Sequence, residues 1–216
     1  CYIPHENKIS TIPSSLFYKI LSQCNEMNIL HLTISGGEPM LHRNFCDFLK
    51  KCREYGFSIN ILSNLTLLTE EIITEMKRNP LLGVQVSLYS MDAKIHDAIT
   101  KKKGSFEKTK ASILRLIEND IPLQISCPIL NENKNCVKNV VKWASNYYIH
   151  TGEDFVIIAS NDHKASNLGC RLSIKEIKEI ITEKLCSSND NIRQIEEESL
   201  LKRKSSENDN VCSVCT

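Results

Sequence analysis

No apolar run in these 216 residues is long enough to span a bilayer, and none has the layout of a secretory signal. Net charge is almost missing as well. The 27 Lys and Arg against 26 Asp and Glu leave +1, so no global field favours nucleic acid. A GxGxxG turn for a dinucleotide is absent, and so is a phosphate-binding P-loop. The expectation is therefore no nucleic-acid partner, no membrane and no nucleotide fold of those two kinds. Local basic runs such as Lys101-Lys102-Lys103 read as solvated faces. What the chain does have is cysteine, ten in all. In a secreted protein that number suggests a disulfide framework. Here the cysteines are scattered through an alternating helix and strand pattern with no signal peptide, which fits reduced thiols and metal ligands in a cytoplasm.

The informative stretch is Ile29-Leu-His-Leu-Thr-Ile-Ser-Gly-Gly-Glu-Pro39. A short apolar run that ends in turn residues reads as a strand. Gly36 and Gly37 let the backbone approach a ligand. Glu38 follows at the strand end, and Pro39 stiffens the exit. In α/β proteins ligands bind at the carboxyl ends of parallel strands. The segment reads as a small-molecule site, or as an ordinary strand-to-helix turn.

The rest of the chain repeats this alternation. Helices are expected from Ser14 (with Leu16, Ile20, Leu21 and Cys24 on one face), after Asn44, after Thr69, around Ile95–Ile99, over 105–118 and over 136–145. Strands are expected at Phe57–Leu62, Val84–Leu88, Leu123–Cys127 and Phe155–Ala159. Ser173 and Glu176 form a capping box before a further helix. From Ser187 the apolar period is lost. A spacing of roughly thirty residues per strand is that of βαβ units, which predicts a parallel sheet, either open or barrel-like.

Several residues carry bland readings beside functional ones. Cys24, Cys46, Cys52, Cys127, Cys136 and Cys186 read as structural thiols. His31 reads as a core residue or pocket wall, and His96-Asp97 as a solvent-facing helix start. Trp143, Tyr147 and Tyr148 are expected to pack on the outside. Asp162-His163, at a strand end, is a candidate substrate contact, with Asn161 and Arg171 weaker ones. Cys1 lies in a loop beside Tyr2, and soft thiolates in loops select zinc or iron–sulfur clusters. One cysteine cannot hold a cluster, and both chain ends stop inside cysteine-bearing stretches, so the expectation is a fragment of a longer protein.

Cys1-Tyr2 followed by Ser35-Gly36-Gly37-Glu38-Pro39 resembles the radical S-adenosylmethionine family. The resemblance implies that Cys1 matches the third cysteine of a CxxxCxxC loop binding a 4Fe-4S cluster. It implies that Gly36, Gly37 and Glu38 meet the amino group of S-adenosylmethionine. Ile61–Thr66 is similar to the family's third-strand segment, with Asn64 near the ribose or carboxylate. Val86-Ser87-Leu88 is similar to the fourth-strand segment, with Ser87 holding the carboxylate. Ile95-His96-Asp97 and Lys103-Gly104-Ser105-Phe106 resemble a stretch of peptide- and protein-modifying members. Two positions depart from the pattern: Tyr89 stands where an aspartate is common, and Thr100 where an arginine is common. Cys212-Ser-Val-Cys215 resembles the start of a SPASM-type extension with auxiliary iron–sulfur clusters, though a CxxC also suits zinc or a redox pair.

The implied fold is α/β, a partial (β/α)6 barrel lacking its first strand. Residues 1–186 would form the core, 187–211 a polar linker or helix, and 212–216 the beginning of the SPASM-type domain. The implied function is that of a peptide or protein maturase. Its cluster would cleave S-adenosylmethionine to a 5′-deoxyadenosyl radical that abstracts hydrogen from a peptide or protein. An electron donor such as flavodoxin or ferredoxin, and an oxygen-poor cytoplasm, follow from the same resemblance. The alternatives are an anaerobic sulfatase-maturing or activating relative and, in another class, a zinc-binding structural or interaction protein using Cys1, Cys212 and Cys215.

Overall fold

A computed structural model describes residues 11–79, 81–158 and 166–183. The chain divides into two compact units, 1–171 and 172–216. In the first unit five strands form one parallel sheet whose order is the chain order. They are β1 (His31–Ile34), β2 (Ser58–Ser63), β3 (Leu81–Ser87), β4 (Leu123–Pro128) and β5 (Thr151–Asp154). The helices are α1 (Ser14–Glu26) before β1, α2 (Phe45–Glu54) after it, and α3 (Glu70–Arg78) after β2. α4 (Ala93–Thr100) and α5 (Ser105–Glu118) follow β3, and α6 (Val137–Ser145) follows β4. This is the α/β ladder of a partial barrel. In the second unit Ser173 and Glu176 cap each other reciprocally, Ser173 N–H to Glu176 Oε2 at 2.8 Å and Glu176 N–H to Ser173 Oγ at 3.3 Å, and residues 174–183 are helical. Among the described residues no helix is long and apolar enough to cross a membrane.

The strands alternate between two environments. Ile59, Ile61, Val84, Val86, Leu88, Ile125 and Cys127 are fully buried. Their neighbours Asn60, Gln85, Ser87, Gln124 and Ser126 point to the opposite face, where they are half-buried or exposed. Gln124 Nε2 donates to Gln85 Oε1 across that face at 3.2 Å. Parallel sheets are usually apolar on both faces because both are covered. In this sheet the second face is polar instead.

Local rules account for most helix boundaries. Thr69 Oγ1 accepts from Ile72 N–H and caps α3, with Glu70 and Glu71 in its first turn. Asn79 closes α3. Gly56, at φ 75, ends α2 in a conformation that favours glycine. α2 buries Phe45, Phe48, Leu49 and Cys52, as its spacing predicts. Glu75 is the buried acid of this layer, 4% exposed, and Arg53 (3.1 Å) and Arg78 (2.9 Å) neutralise it.

Five expectations change. The fifth strand is Thr151–Asp154 rather than the apolar run from Phe155. β4 stops at Pro128, so its ladder gives partners only as far as Asp154, and Val156 and Ile158 are exposed. In α1, Leu16 and Ile20 face outward, and Phe17 stacks on Phe48 with ring centroids 3.9 Å apart beside buried Leu21. In α6, where the helical spacing also expects Val141 inside, Val141 faces outward while Val137, Val140 and Ala144 are buried. His31 begins β1 on its exposed face. Trp143 and Tyr147 pack together at 5.3 Å, but Tyr148 is 99% exposed in a left-handed turn and packs on nothing.

Candidate functional site

The carboxyl ends of β1 and β2 meet at one set of groups. After β1 the chain runs through exposed Ser35, Gly36 and Gly37. Gly36 has φ 155, and a Cβ built on Gly36 or Gly37 meets open space. The backbone of this turn is therefore bare to a ligand. Glu38 then opens a short 3-10 turn, Pro39–Leu41, and accepts from Met40 N–H through Oε1 at 3.1 Å. The same oxygen accepts from Ser63 Oγ at 2.7 Å, and Oε2 accepts from Asn64 N–H at 2.8 Å. Glu38 thus ties the end of β1 to the end of β2. A carboxylate offers about four lone-pair sites, and these three bonds leave room at Oε2 for one more donor.

Asn64, expected near the ribose or carboxylate, lies in the loop that follows β2. Its backbone N–H meets Glu38, while its Oδ1 accepts from Thr66 N–H (2.9 Å) and Thr66 Oγ1 (2.7 Å) within its own loop. Its carbonyl accepts from Thr109 Oγ1 of α5 at 2.9 Å. Ser87 ends β3 one residue past Val86, the ladder partner of Ser63. It stands half-buried on the polar face.

His96 and Asp97 lie in the middle of α4, His96 buried and Asp97 half-buried, rather than at a solvent-facing helix start. His96 is 1% exposed, accepts from Tyr89 N–H at Nδ1 and sits between the Tyr89 and Phe106 rings. Burial lowers its pKa, with Asp97 acting against that. Asp97 accepts from Phe106 N–H, Gly104 N–H and Ser105 Oγ, anchoring the start of α5. Those backbone N–H groups, Phe106 first, hold its carboxyl below the usual range.

Three residues escaped the sequence reading. Ser63 is the hydroxyl partner of Glu38, and a serine at a buried-face position of β2, in line with Ile59 and Ile61, was the available signal. Asn133 is fully buried and joins two loops: Nδ2 donates to Tyr89 O (2.9 Å) and Pro128 O (3.0 Å), and Oδ1 accepts from Leu130 N–H (2.7 Å). His42 accepts from Asn44 N–H at Nδ1 (3.1 Å), so its neutral ring donates from Nε2 to Ile12 O (3.0 Å). Beside it a cavity of about 340 Å³ lies between residues 11–14 and 41–43, apart from the Glu38 set.

Among the described thiols in helices and strands, Cys52 and Cys127 are buried and Cys24 and Cys46 half-buried. Burial, then the nearby Cys24, pushes Cys52 up to about 12, which keeps it protonated and inert. Among the described residues no group of three or more His, Cys, Asp or Glu is placed to hold a metal. Cys1, Cys212, Cys215, Cys186, Asn161, Asp162 and His163 lie outside the described residues.

With this geometry established, likeness to known proteins defines the class. Residues 1–144 match the model of the Radical SAM superfamily. The chain belongs to that family, a family of enzymes. It is 24% identical over 139 residues to the PqqA peptide cyclase of Methylocella silvestris, covering 64% of this chain and 37% of that protein. It is 30% identical over 102 residues to the AdoMet-dependent heme synthase of Methanosarcina barkeri, covering 47% of this chain and 29% of the other. The fold matches the crystal structure of Streptococcus suis SuiB bound to precursor peptide SuiA, with TM-score 0.63 and 14% identity, over 83% of this chain and 41% of that one. That last likeness shows the fold alone. The chain spans only about a third of the length of the curated relatives it matches.

Proposed function

We propose that this chain is the S-adenosylmethionine-binding part of a radical enzyme that modifies a peptide or protein. The observation that carries the reading is the Glu38 node. A half-buried carboxylate with one unused acceptor site lies beside a bare Gly-Gly turn at the mouth of a polar-faced sheet. An ammonium has three donors and no acceptor, and this is the complement it needs.

The residues fit the methionine end of the cofactor. Gly36 and Gly37 would offer backbone to its amine, and Glu38 its spare lone pair. Ser87 would donate to its carboxylate, and the Asn64 loop would border the ribose. Cys1 would be one ligand of the 4Fe-4S cluster, and Cys212 with Cys215 would serve an auxiliary 4Fe-4S cluster. Bound S-adenosylmethionine and a reduced cluster supply the chemistry: one-electron cleavage of the sulfonium and hydrogen abstraction from the substrate. The protein's own part is orientation. The Glu38 bonds to Ser63 and Asn64 fix β1 against β2, so the amine and ribose contacts keep a set spacing. A peptide or protein substrate is favoured by the PqqA peptide cyclase and by SuiB with its precursor peptide. A sulfatase-maturing or activating role would keep this site and change the substrate, and an electron donor such as flavodoxin or ferredoxin completes the scheme.

The test is anaerobic iron–sulfur reconstitution of the full-length protein. The expected result is a brown chromophore and reductant-dependent release of 5′-deoxyadenosine. A colourless protein holding only zinc would overturn the reading in favour of the zinc-binding alternative.

A further inference from the structure

The turn between α4 and α5 concentrates positive charge. Residues 94–110 carry six lysines (Lys94, Lys101, Lys102, Lys103, Lys108 and Lys110) against Asp97 and Glu107, in a chain whose net charge is +1. The remainder of the chain is therefore net acidic. Five of the six lysines are exposed, and Lys110 places its Nζ 5.6 Å from the Phe106 ring centroid. None of the six forms an ion pair among the described residues, unlike Lys50 and Lys51 of α2.

The turn has a fixed backbone. Lys101 adopts a left-handed φ of 55, which L side chains seldom take. Lys102 N–H donates to Asp97 O at 3.1 Å, and the Asp97 carboxylate accepts from Gly104 N–H, Ser105 Oγ and Phe106 N–H. One half-buried acid thus pins the backbone that presents three consecutive cations. The place is specific as well. The strands are parallel, so the chain leaves β3 at the same end of the sheet as it leaves β1 and β2. Thr109 Oγ1, in the second turn of α5, donates to Asn64 O at 2.9 Å, and Asn64 N–H meets Glu38. The lysine turn therefore lies at the Glu38 end of the sheet.

Between residues 91 and 110 no large apolar side chain is exposed. Charge without apolar anchors suits a small, transient, electrostatically steered contact, the size class of electron-transfer complexes. Stable recognition of a peptide uses buried apolar or aromatic anchors as well. We propose that the Lys101–Lys103 turn, with its flanking lysines, is the docking surface for an acidic electron-carrier protein. This rests on the radical-enzyme reading above, which requires an electron donor.

The experiment titrates the reconstituted full-length protein with an acidic flavodoxin and an acidic ferredoxin at low and high salt. Wild type is compared with a variant carrying Lys101→Gln, Lys102→Gln and Lys103→Gln. A control carrying Lys19→Gln, Lys142→Gln and Lys175→Gln removes the same charge elsewhere. At low salt the turn variant is expected to raise the carrier Kd about tenfold and to show a shallower salt dependence, with the control within about twofold of wild type. Its iron content, Tm and S-adenosylmethionine affinity should match wild type. Release of 5′-deoxyadenosine should slow with the carrier as reductant and stay unchanged with dithionite. Unchanged carrier affinity in the turn variant, an equal loss in the control, or an equal slowing with dithionite would each overturn the inference. If the triple variant does not fold, Lys102→Glu decides by the same readouts. A wild type that releases 5′-deoxyadenosine with dithionite but binds neither carrier overturns the docking surface alone. One that releases none with dithionite overturns the proposed function itself.

Discussion

Glu38 and Asn133 each stitch two neighbouring strand-end loops together, one across β1 and β2, the other across β3 and β4. They differ in reserve. Glu38 is charged and half-buried and keeps acceptor capacity after three bonds. Asn133 is neutral, 0% exposed, and spends both amide hydrogens and its oxygen on Tyr89, Pro128 and Leu130. A polar group buried that deeply persists only when it is satisfied. The difference separates a residue that can still bind from one that can only hold.

Substitutions sharpen the contrast. Asn133→Ala has the largest expected effect, because two carbonyls and one N–H lose their partner inside the protein. The loss should be about 3–5 kcal/mol, read by chemical denaturation; a loss under about 1 kcal/mol would put Asn133 outside the scaffold. Glu38→Gln keeps the shape and removes the charge. It should cost only about 1–2 kcal/mol of stability, yet weaken S-adenosylmethionine binding about 10- to 100-fold with cluster iron unchanged. Iron loss with intact cofactor affinity would contradict its role. Thr69→Ala removes the cap of α3, just past the Asn64 loop. It should cost about 1 kcal/mol and leave cofactor affinity within about twofold.

The smallest effect is a pH dependence on the scaffold side. Burial holds the folded-state pKa of His96 below its unfolded value near 6.5. Below that value the unfolded chain binds the extra proton first, so stability rises with pH. The contribution is complete above about pH 6.5 and is lost as pH falls through the depressed folded value. Protonation would also set Nδ1–H against Tyr89 N–H. Urea melts between pH 8 and 5.5 should show this slope in wild type and not in His96→Asn. An equal slope in both would assign it elsewhere.

Much of this was legible in the sequence, for identifiable reasons. Gly36, Gly37 and Glu38 follow an apolar strand directly, so chain proximity itself builds the turn. α5 spans the expected residues, Ser105 to Glu118. The fifth strand was misplaced because hydrophobicity reports burial, whereas a strand exists where a neighbour offers hydrogen bonds, and β4 stops offering them at Pro128. His96 was misjudged because its burial depends on Tyr89 and Phe106, which flank it from different elements. Asn133 was invisible for the same reason: its partner Tyr89 is 44 positions away.

The sheet order has a consequence for how the molecule comes into being. Each strand from β2 to β5 pairs with the one synthesised just before it. A ribosome delivering the chain from its amino end therefore presents every new strand to a finished template, with only one crossover of loop entropy to overcome at a time. The exposed edge moves along the sheet as synthesis proceeds. Any stall leaves the last completed strand as a sticky margin, the place where a chaperone would find its hold.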